Sequence, residues 1–392
     1  MGRRSARARA AVAGTVVCAA VAIGAITVTT GGATATGPSG TASSARAVPA
    51  ARLELPAAGV STAPSRTLAS AARCARNRAA GPLTFVSPFS YDASAGIIDV
   101  VAAQHLGYFR DLCLTVHLVM SSYTPSQLVS TGTGTVTGEG SAADDLALAA
   151  NGANLVAIAT FGDTSDYALL TQTGITKLTQ LAGKTVAYHT TMPVILTEML
   201  RAAGVDISKL DEVNDISYNP DLLAEGRFAA LQAYRSNEPI TLRAEHLPFR
   251  EYIPSQFGVK GTFNVQVVNR SFLARHPAAV ADFLRAELHA FDYCGAHALE
   301  CVRIEDAAAA AAGVTTDQAH NVAEWRFEYA LAEQHTLPHS GVGVQSQAEW
   351  GPEARALAAS GLVAHRPQLS ASEDTSLAAS LYHGTSLIWP GP

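Results

Sequence analysis

Short β-rich runs alternate with helix-forming stretches between Leu83 and Asn269, and this alternation restricts the fold more than any other feature of the sequence. Strands that alternate with helices form a mostly parallel sheet that is covered on both faces. We therefore expect an α/β fold built from two such units. The predicted strands are residues 83–87, 115–119, 135–140 and 155–161 in the first unit, and 167–172, 185–189, 213–219, 228–234 and 263–269 in the second.

The chain beyond residue 269 is predicted to be almost wholly helical. Either the two lobes are independent, or this tail returns to complete the first lobe. In the second case the chain crosses between the lobes twice, which forms a hinge and a ligand cleft. The predicted crossings lie near residues 162–166 and 269–271, with the first lobe at 74–163, the second at 164–268, and the return with the C-terminal helices at 269–392.

The N-terminal residues have the pattern of an export signal. Four arginines in the first ten residues precede an uncharged apolar run from Ala11 to about Thr30, and small residues follow at positions 33–35. Residues 1–35 are therefore predicted to direct export, so that the protein acts outside the cytoplasm. The alternative is an uncleaved anchor, since about twenty apolar residues can just span a bilayer. Residues 36–73 are rich in Ala, Ser, Thr, Pro and Gly, which predicts a flexible linker.

The balance of charge argues against a nucleic-acid partner. The chain has 27 basic and 33 acidic side chains, which gives a formal net charge of −6. Without the four arginines of the export signal the balance is 23 against 33, or −10. A surface this acidic repels phosphate backbones. We therefore expect a small-molecule ligand and no nucleic acid.

Four of the five cysteines follow the export signal, at positions 74, 113, 294 and 301. An even number of cysteines in an oxidising compartment indicates disulfides. Cys294 and Cys301 are near enough in sequence to close a short local loop, which would leave Cys74 to pair with Cys113. A set of free buried thiols is the alternative. A zinc site is not expected, because no C-x-x-C spacing occurs.

Motifs that carry catalysis are missing from the sequence. It contains no G-x-S-x-G elbow, no P-loop, no H-E-x-x-H and no G-x-G-x-x-G that opens a helix. The twelve histidines are dispersed, and Pro338 interrupts the spacing of His335 and His339. We therefore expect no catalysis, no cofactor and no bound metal, with an exported hydrolase on the same scaffold as the alternative.

Several segments resemble, in order, a known family. IIDVVAAQHLGYFRDLCLTVHLV (97–119) is similar to the opening of ABC-transporter solute-binding proteins of the thiamine-pyrimidine, nitrate, sulfonate and taurine class. Residues 178–190 resemble the entry to the second lobe in that family. Residues 222–242 contain the Tyr-x-x-Asn-Glu-Pro turn of its pyrimidine and flavin binders. The resemblance covers roughly residues 83–292.

The resemblance implies a two-lobed, periplasmic-binding-protein-like fold of type II, with the ligand cleft between the lobes. It also implies a monomer that delivers its ligand to the permease and ATPase subunits of an importer; a tethered ligand sensor is the alternative. Cys113 stands in a Leu-Cys-Leu sequence where the family has Gly-Leu. This departure supports the pairing of Cys74 with Cys113.

Ligands of doubly wound sheets bind beyond the carboxyl ends of the strands, where loops meet helix N-termini. Four loops of the sequence meet this condition. Phe89 and Tyr91 are candidates for stacking on a planar ligand, and Glu238 for binding an amine or a ring N–H. Each candidate also has a structural interpretation: packing for the aromatics, helix capping for Ser141 and a simple turn for Asn-Glu-Pro. The candidate ligand-binding residues are Ser87, Phe89, Tyr91, Ser141, Thr190, Thr191, Tyr234, Asn237 and Glu238.

The charges near these loops favour a neutral or amine-bearing heteroaromatic ligand, such as a vitamin or its precursor. A nitrate or sulfonate site normally contains Arg or Lys, and only Arg235 lies near the four loops. Nitrate, sulfonate or taurine is the alternative, because helix N-termini alone can bind anions. The acidic residues predicted near the rim are Glu139, Asp144, Asp163 and Glu238.

Overall fold

The computed structural model describes residues 67–120, 124–189, 191–215, 217 and 219–392, apart from the side chain of Glu139. The predicted export signal and residues 36–66 of the predicted linker lie outside these residues. The end of the predicted linker is helical instead, because helix α1 spans Ala71–Ala79. Arg73 in this helix is only 3% exposed, and its guanidinium donates to both carboxylate oxygens of Asp282. This buried ion pair fixes the chain before Cys74, where the sequence predicted that order begins.

The first lobe contains a five-stranded sheet. Its strands are β1 (Leu83–Val86), β2 (Val116–Val119), β3 (Val136–Glu139), β4 (Leu155–Gly162) and β10 (Phe263–Asn269). They lie in the order β2-β1-β3-β10-β4. β1 pairs in parallel with β2 and β3, whereas β10 runs antiparallel to β3 and β4.

The sheet of the second lobe repeats this topology. Its strands are β5 (Tyr167–Thr171), β6 (Thr185–Tyr188), β7 (Asp211–Asn214), β8 (Ala230–Tyr234) and β9 (Arg250–Tyr252). They lie in the order β7-β6-β8-β5-β9, and β5 runs antiparallel to β8 and β9. In each lobe one strand runs antiparallel to its neighbours, β10 in the first lobe and β5 in the second. Each of these strands follows directly the segment by which the chain crosses from the other lobe.

Helices cover both faces of each sheet. In the first lobe, one face buries Phe85, Phe161 and Phe283, and the other buries Leu146 and Trp350. None of the helices in the described part of the chain is long and apolar enough to span a bilayer. After α1, the helices are α2 (Ile98–Leu106), α3 (Tyr108–Asp111), α4 (Pro125–Thr131), α5 (Ala142–Ala150), α6 (Val194–Ala202), α7 (Asp221–Ala224), α8 (Glu238–Ala244), α9 (Arg270–Arg275), α10 (Pro277–Ala296), α11 (Ala298–Ala311), α12 (Gln318–His335), α13 (Gln347–Ser360) and α14 (Leu369–Ser372).

β10 corrects the predicted lobe boundary. The sequence assigned this strand to the second lobe because it follows the other strands of that unit. It pairs instead with β3 and β4, so the return to the first lobe precedes Phe263 rather than following Asn269. The bounds of one predicted strand were also wrong: β7 begins and ends before the corresponding ends of the predicted 213–219 run.

The two chain crossings lie side by side. A Cβ added to Gly261, in the second crossing, would lie only 3.0 Å from the Cβ of Ser165 in the first. Glu353 of α13 accepts hydrogen bonds from the backbone N–H and the hydroxyl of Thr262. The same carboxylate accepts from the backbone N–H of Ala143, at the start of α5. The C-terminal tail therefore packs on the first lobe and against the second crossing. Of the two architectures that the sequence left open, the structure has the one in which the tail returns to complete the first lobe.

Both predicted disulfides are present. Cys74 bonds to Cys113, which ties α1 to the segment before β2, and Cys294 bonds to Cys301 across the junction of α10 and α11. Their Cα atoms are 5.1 Å and 5.6 Å apart, respectively. The alternative of free buried thiols is therefore wrong for these four cysteines.

Candidate ligand-binding cleft

A cavity that is partly open to solvent lies between the lobes. It sits beyond the carboxyl ends of β1, β3 and β8, as expected for sheets of this kind. Both lobes form its wall. The first lobe contributes Phe89, Asp92, Ser94, Gly140, Asn264, Glu324 and Glu328, and the second contributes Asp166, Tyr167, Tyr234, Ser236 and Asn237.

The pairing of β5 with β8 assembles the wall of the second lobe. Tyr167 opens β5 directly opposite Tyr234, which ends β8. The backbone carbonyl of Asp166 accepts from the N–H of Arg235, 2.9 Å away. Because the strands run antiparallel, the start of one and the end of the other meet at the cleft, with Ser236 beside them.

Three aromatic rings form the apolar part of the cleft. The ring centroids of Phe89 and Tyr234 are 6.3 Å apart in an edge-on arrangement, and those of Tyr167 and Tyr234 are 4.9 Å apart. A Cβ added to Gly140 would lie 3.0 Å from the Tyr167 hydroxyl and 3.6 Å from the Tyr234 hydroxyl. A glycine at this position therefore lets the tyrosines of the second lobe approach the first.

Asp92 and Glu324 form a carboxyl pair in the wall of the first lobe. Burial raises the pKa of Asp92, and it raises the pKa of Glu324 well above its usual range. The negative charge of Asp92 and its hydrogen bond to Glu324 raise the pKa of Glu324 further. The ring of His320 lies 3.9 Å from Glu324 on the same helix. Burial and the close approach of the two carboxyls therefore favour the protonated form of this pair.

Glu328 lies one helical turn beyond Glu324 on α12 and is 3% exposed. Its Oε2 accepts from the Ser94 hydroxyl at 2.9 Å and the Ala95 N–H at 2.6 Å. Burial raises its pKa well above the usual range, and the negative charge of Asp166 raises it further. Glu328 of the first lobe and Asp166 of the second therefore repel each other across the cleft when both are charged.

Asp166 is the acidic residue of the second-lobe wall and is 5% exposed. The Ser236 hydroxyl donates to its Oδ2 at 2.8 Å, whereas its Oδ1 has no hydrogen-bond partner among the described residues. Burial raises the pKa of Asp166 to about 7, although the Ser236 hydrogen bond and the charge of Arg235 oppose the shift. This carboxyl is thus close to balance between its neutral and charged forms at neutral pH.

Basic side chains around the cleft already have acidic or aromatic partners. Arg235 lies 3.6 Å from Glu251, and its guanidinium carbon is 5.1 Å from the centre of the Phe327 ring. His189 lies 3.6 Å from Glu238. None of the described residues that line the cavity is Lys, Arg or His. The cleft is therefore acidic and aromatic.

Of the nine candidate binding residues, the cavity wall includes Phe89, Tyr234 and Asn237. Ser87 is fully buried below the wall, where its hydroxyl accepts from the Phe89 N–H at 3.3 Å. Ser141 occupies the N-cap position of α5, but its hydroxyl donates to Asp144. Thr191 lies outside the wall and Thr190 outside the described residues.

Tyr91, which the sequence suggested as a second ring for stacking on a ligand, does not line the cavity beside Phe89. Its ring is 8% exposed and packs with Val101 and Ala309, in an apolar cluster between α2 and α11. Its hydroxyl has no hydrogen-bond partner among the described residues. The ring that meets Phe89 belongs instead to Tyr234 of the other lobe, which only the tertiary fold brings close.

Glu238 also points away from the cavity. Its Oε2 accepts from the backbone N–H of Tyr234 at 2.8 Å, and its Oε1 lies 3.6 Å from His189. Burial lowers the pKa of His189, but the hydrogen bond and charge of Glu238 raise it, with a net increase. The Asn-Glu-Pro turn therefore anchors α8 to β6 and β8, which is the structural interpretation of that motif.

The sequence analysis did not name the acidic residues of the wall as candidate binding residues. Glu324 and Glu328 are four residues apart on a helix, a spacing that places both carboxyls on one face. This spacing is visible in the sequence. Nothing in the local sequence, however, predicts that α12 lies next to a loop more than 200 residues earlier in the chain. Asp92 and Ser94 lie in the same loop as Phe89 and were overlooked beside the aromatics.

The described residues contain no group of three or more His, Cys, Asp or Glu side chains arranged to hold a metal ion. All four described cysteines form disulfides, so none of them supplies a thiolate to the cleft. The chemistry that the cleft does offer is ring stacking and hydrogen bonding to buried carboxyls.

Solved structures of similar fold include two bacterial sulfonate-binding proteins and DSZB. The periplasmic sulfonate-binding protein SsuA from Methylobacillus flagellatus KT superposes with a TM-score of 0.55 at 15% identity, covering 76% of this chain and 93% of that one. The aliphatic sulphonate-binding protein SsuA from Escherichia coli gives 0.54 at 13% identity, with 74% and 96% covered. A DSZB mutant in complex with biphenyl-2-sulfinic acid gives 0.51 at 12% identity, with 76% and 98% covered. At such identities the likeness establishes the two-lobed, periplasmic-binding-protein-like fold.

The sequence comparison is more specific. No curated protein sequence matches the chain. The sequence profile of the NMT1/THI5-like family matches residues 94–300, a stretch that contains both sheets apart from β1 and most of the cleft. The chain therefore belongs to the NMT1/THI5-like family.

Proposed function

We propose that the chain is the extracytoplasmic solute-binding component of an ABC importer, which captures a small molecule by closing its two lobes. The observation that carries this proposal is the cavity between the lobes, whose wall is formed by residues of both lobes. Because the two crossings lie side by side, the lobes can rotate about them without breaking either sheet. A ligand that contacts both walls stabilises the closed arrangement.

The aromatic part of the cleft supports a ligand with a planar ring. Phe89, Tyr167 and Tyr234 offer ring faces and edges from both lobes. A heteroaromatic vitamin or precursor, which the sequence suggested, is one such ligand. The similar structures are named for other ligands, the two SsuA proteins for sulfonates. The ring requirement is therefore a proposal that rests on this cleft alone.

A sulfonate or nitrate ligand is the second candidate, and the similar binding proteins favour it. The wall of the cleft opposes it, because buried anionic groups repel an anion and no described lining residue carries a basic side chain. Neutral donors of the wall, such as hydroxyl, amide and backbone N–H groups, would remain to hold the oxygens.

A thermal-shift screen of pyrimidines, flavins, polyamines, nitrate and sulfonates tests the proposal. A ligand at a hundred times its dissociation constant adds about 2.7 kcal/mol of stability, which raises the melting temperature by several degrees. We expect Phe89→Ala to reduce this shift markedly and Phe272→Ala, a change in an aromatic of α9 that does not line the cavity, to retain it. A shift that survives Phe89→Ala unchanged would place the ligand elsewhere.

An importer subunit and a tethered sensor can be distinguished by the effect that deletion of the gene has on uptake of the ligand. Loss of an importer subunit abolishes uptake of the ligand that the screen identifies. Loss of a sensor leaves uptake intact and abolishes the response to that ligand. Measuring uptake of the labelled compound in the deletion strain separates the two.

A further inference from the structure

We propose that the ligand of this cleft is a small organic cation, whose positively charged nitrogen binds between Asp166 of the second lobe and Glu328 of the first. The inference rests on the proposed function, because it names the class of solute that the same cleft captures. It is carried by a fully buried carboxylate oxygen in the wall that the described residues leave unsatisfied.

That oxygen is Oδ1 of Asp166. The side chain is 5% exposed and lines the cavity, and only its Oδ2 has a donor, the Ser236 hydroxyl. A buried carboxylate oxygen without a donor costs the desolvation free energy of that group. An N–H group of a cationic ligand would supply the missing hydrogen bond in its stronger, charge-assisted form.

The opposite wall adds negative charge without adding compensating cations. Glu328 faces Asp166, and the carboxyl pair of Asp92 and Glu324 lies beside it. The basic groups that face these carboxyls are Arg235 and His320, and each has a partner, Glu251 for Arg235 and Glu324 for His320. Glu238 points away from the cavity and lies 3.6 Å from His189, but its charge also acts on Asp166. A cation between the walls would offset this excess.

The remaining surface of the cleft distinguishes an organic cation from a metal ion. Aromatic rings attract alkylammonium and heteroaromatic cations through their faces, and three rings line the same cavity as the acidic groups. Among the described residues, in contrast, the carboxyls are not arranged to chelate a metal. Rings and separated carboxyls together suit an ammonium or a protonated ring nitrogen.

Binding of a cation at this position would also favour closure of the two lobes. The carboxyls that repel each other belong to different lobes, so in the empty protein their repulsion opposes approach of the lobes. A cation between them converts that repulsion into two attractions. Burial raises the pKa of both Asp166 and Glu328, and the charge of Asp166 raises that of Glu328 further, so binding of a cation near pH 7 releases protons.

Isothermal titration calorimetry of the full-length chain tests the inference, with choline, spermidine and thiamine as cationic probes and taurine as the sulfonate probe. We expect at least one cationic probe to bind and taurine not to bind. Asp166→Asn should weaken that binding by about tenfold or more, as expected for loss of a charge-assisted hydrogen bond. Asp99→Asn, a matched change at a buried aspartate of α2 outside the cavity, should leave the affinity unchanged.

A second readout is the number of protons released on binding, which is measured by repeating the titration in two buffers of different ionisation enthalpy. The cation should release protons on binding to the natural protein and fewer on binding to Asp166→Asn, a difference that a purely structural role would not produce. If Asp166→Asn does not fold, Glu328→Gln makes the same test from the other lobe, with the same expected loss.

Two results would overturn the inference. One is taurine binding that Asp166→Asn leaves equal or strengthens; solute capture, the proposed function, would then stand with an anionic ligand. The other is the absence of binding by all three cationic probes. Failure of every compound of the wider screen, neutral and anionic ones included, would count against the proposed function itself.

Discussion

The Ser236 hydroxyl holds one oxygen of Asp166 at 2.8 Å, while the other oxygen of that buried, cavity-lining residue has no hydrogen-bond partner among the described residues. The hydroxyl fixes the orientation of the carboxyl, and the pairing of β5 with β8 fixes its position. The unsatisfied oxygen is thus a property of the folded lobe. A rigidly held, unsatisfied acceptor is what a binding site for a donor requires.

The empty protein should be less stable at pH 8 than at pH 5. Burial raises the pKa of Asp166, Asp99 and Glu353 to about 7 and that of Asp145 to about 8, against about 4 in an unfolded chain. The folded state therefore holds these protons more tightly. Its free energy of unfolding is largest near the unfolded pKa and falls as the pH rises through about 7 to 8.

Melting temperatures measured across this range check the prediction, and Asp166→Asn should reduce the decrease by removing one titrating group. Glu225→Gln, a change at an exposed carboxyl, serves as the control and should reproduce the natural profile. A melting temperature that rises from pH 5 to pH 8 would show that these carboxyls are not protonated in the folded state.

The two disulfides should differ in their contributions to stability. Cys74 and Cys113 are 39 residues apart in sequence, and Cys294 and Cys301 only 7. Because the longer loop restricts the unfolded chain more, its removal should cost about 4 kcal/mol and that of the shorter about 2 kcal/mol. Urea unfolding of the two paired Cys→Ser variants measures the difference, and a larger loss for the shorter loop would contradict the loop-entropy account.

Phe89 and Tyr91 should respond differently to substitution, although both are aromatic residues of one loop. Phe89→Ala removes a ring from the cavity wall and should weaken ligand binding about tenfold or more. Tyr91→Phe removes a buried hydroxyl that lacks a described partner, so stability should be unchanged or slightly higher and affinity unaffected. Calorimetric titration and melting of both variants distinguish them; loss of affinity in Tyr91→Phe would return that ring to the binding site.

Glu238→Gln should act on stability more than on binding. Its carboxyl accepts from the Tyr234 N–H and pairs with His189, both within the second lobe. We expect a loss of about 1 to 3 kcal/mol in the free energy of unfolding and a smaller loss of affinity than in Asp166→Asn. The reverse order would mean that Glu238 contacts the ligand directly.

The sequence predicted the helices and strands better than it predicted which strands pair with each other. Strands such as β4 and β10 are recognisable from local composition, and the strand–helix alternation predicts sheets covered on both faces. Which sheet β10 joins depends on pairing with strands more than 100 residues earlier, and sequence order gave the wrong lobe. The disulfides were predictable because parity and spacing leave few pairings.

The cleft was only partly predictable for the same reason. The rule that ligands bind beyond the carboxyl ends of strands located Phe89, Tyr234 and Asn237 correctly at the wall. It gives no information on Glu324 and Glu328, which reach the cleft from a helix of the C-terminal tail. It also cannot tell that Glu238 turns back to the Tyr234 backbone, because that orientation depends on His189 from another strand.

The most direct test of the account is the stoichiometry and chemical fate of the compound that raises the melting temperature most. The full-length chain is incubated with an excess of this compound and followed by native mass spectrometry and by analysis of the solution. The account predicts saturation at one molecule per chain, loss of the complex in Phe89→Ala, and recovery of the compound unchanged. Steady conversion to a product, or binding that does not saturate, would contradict a solute-binding function.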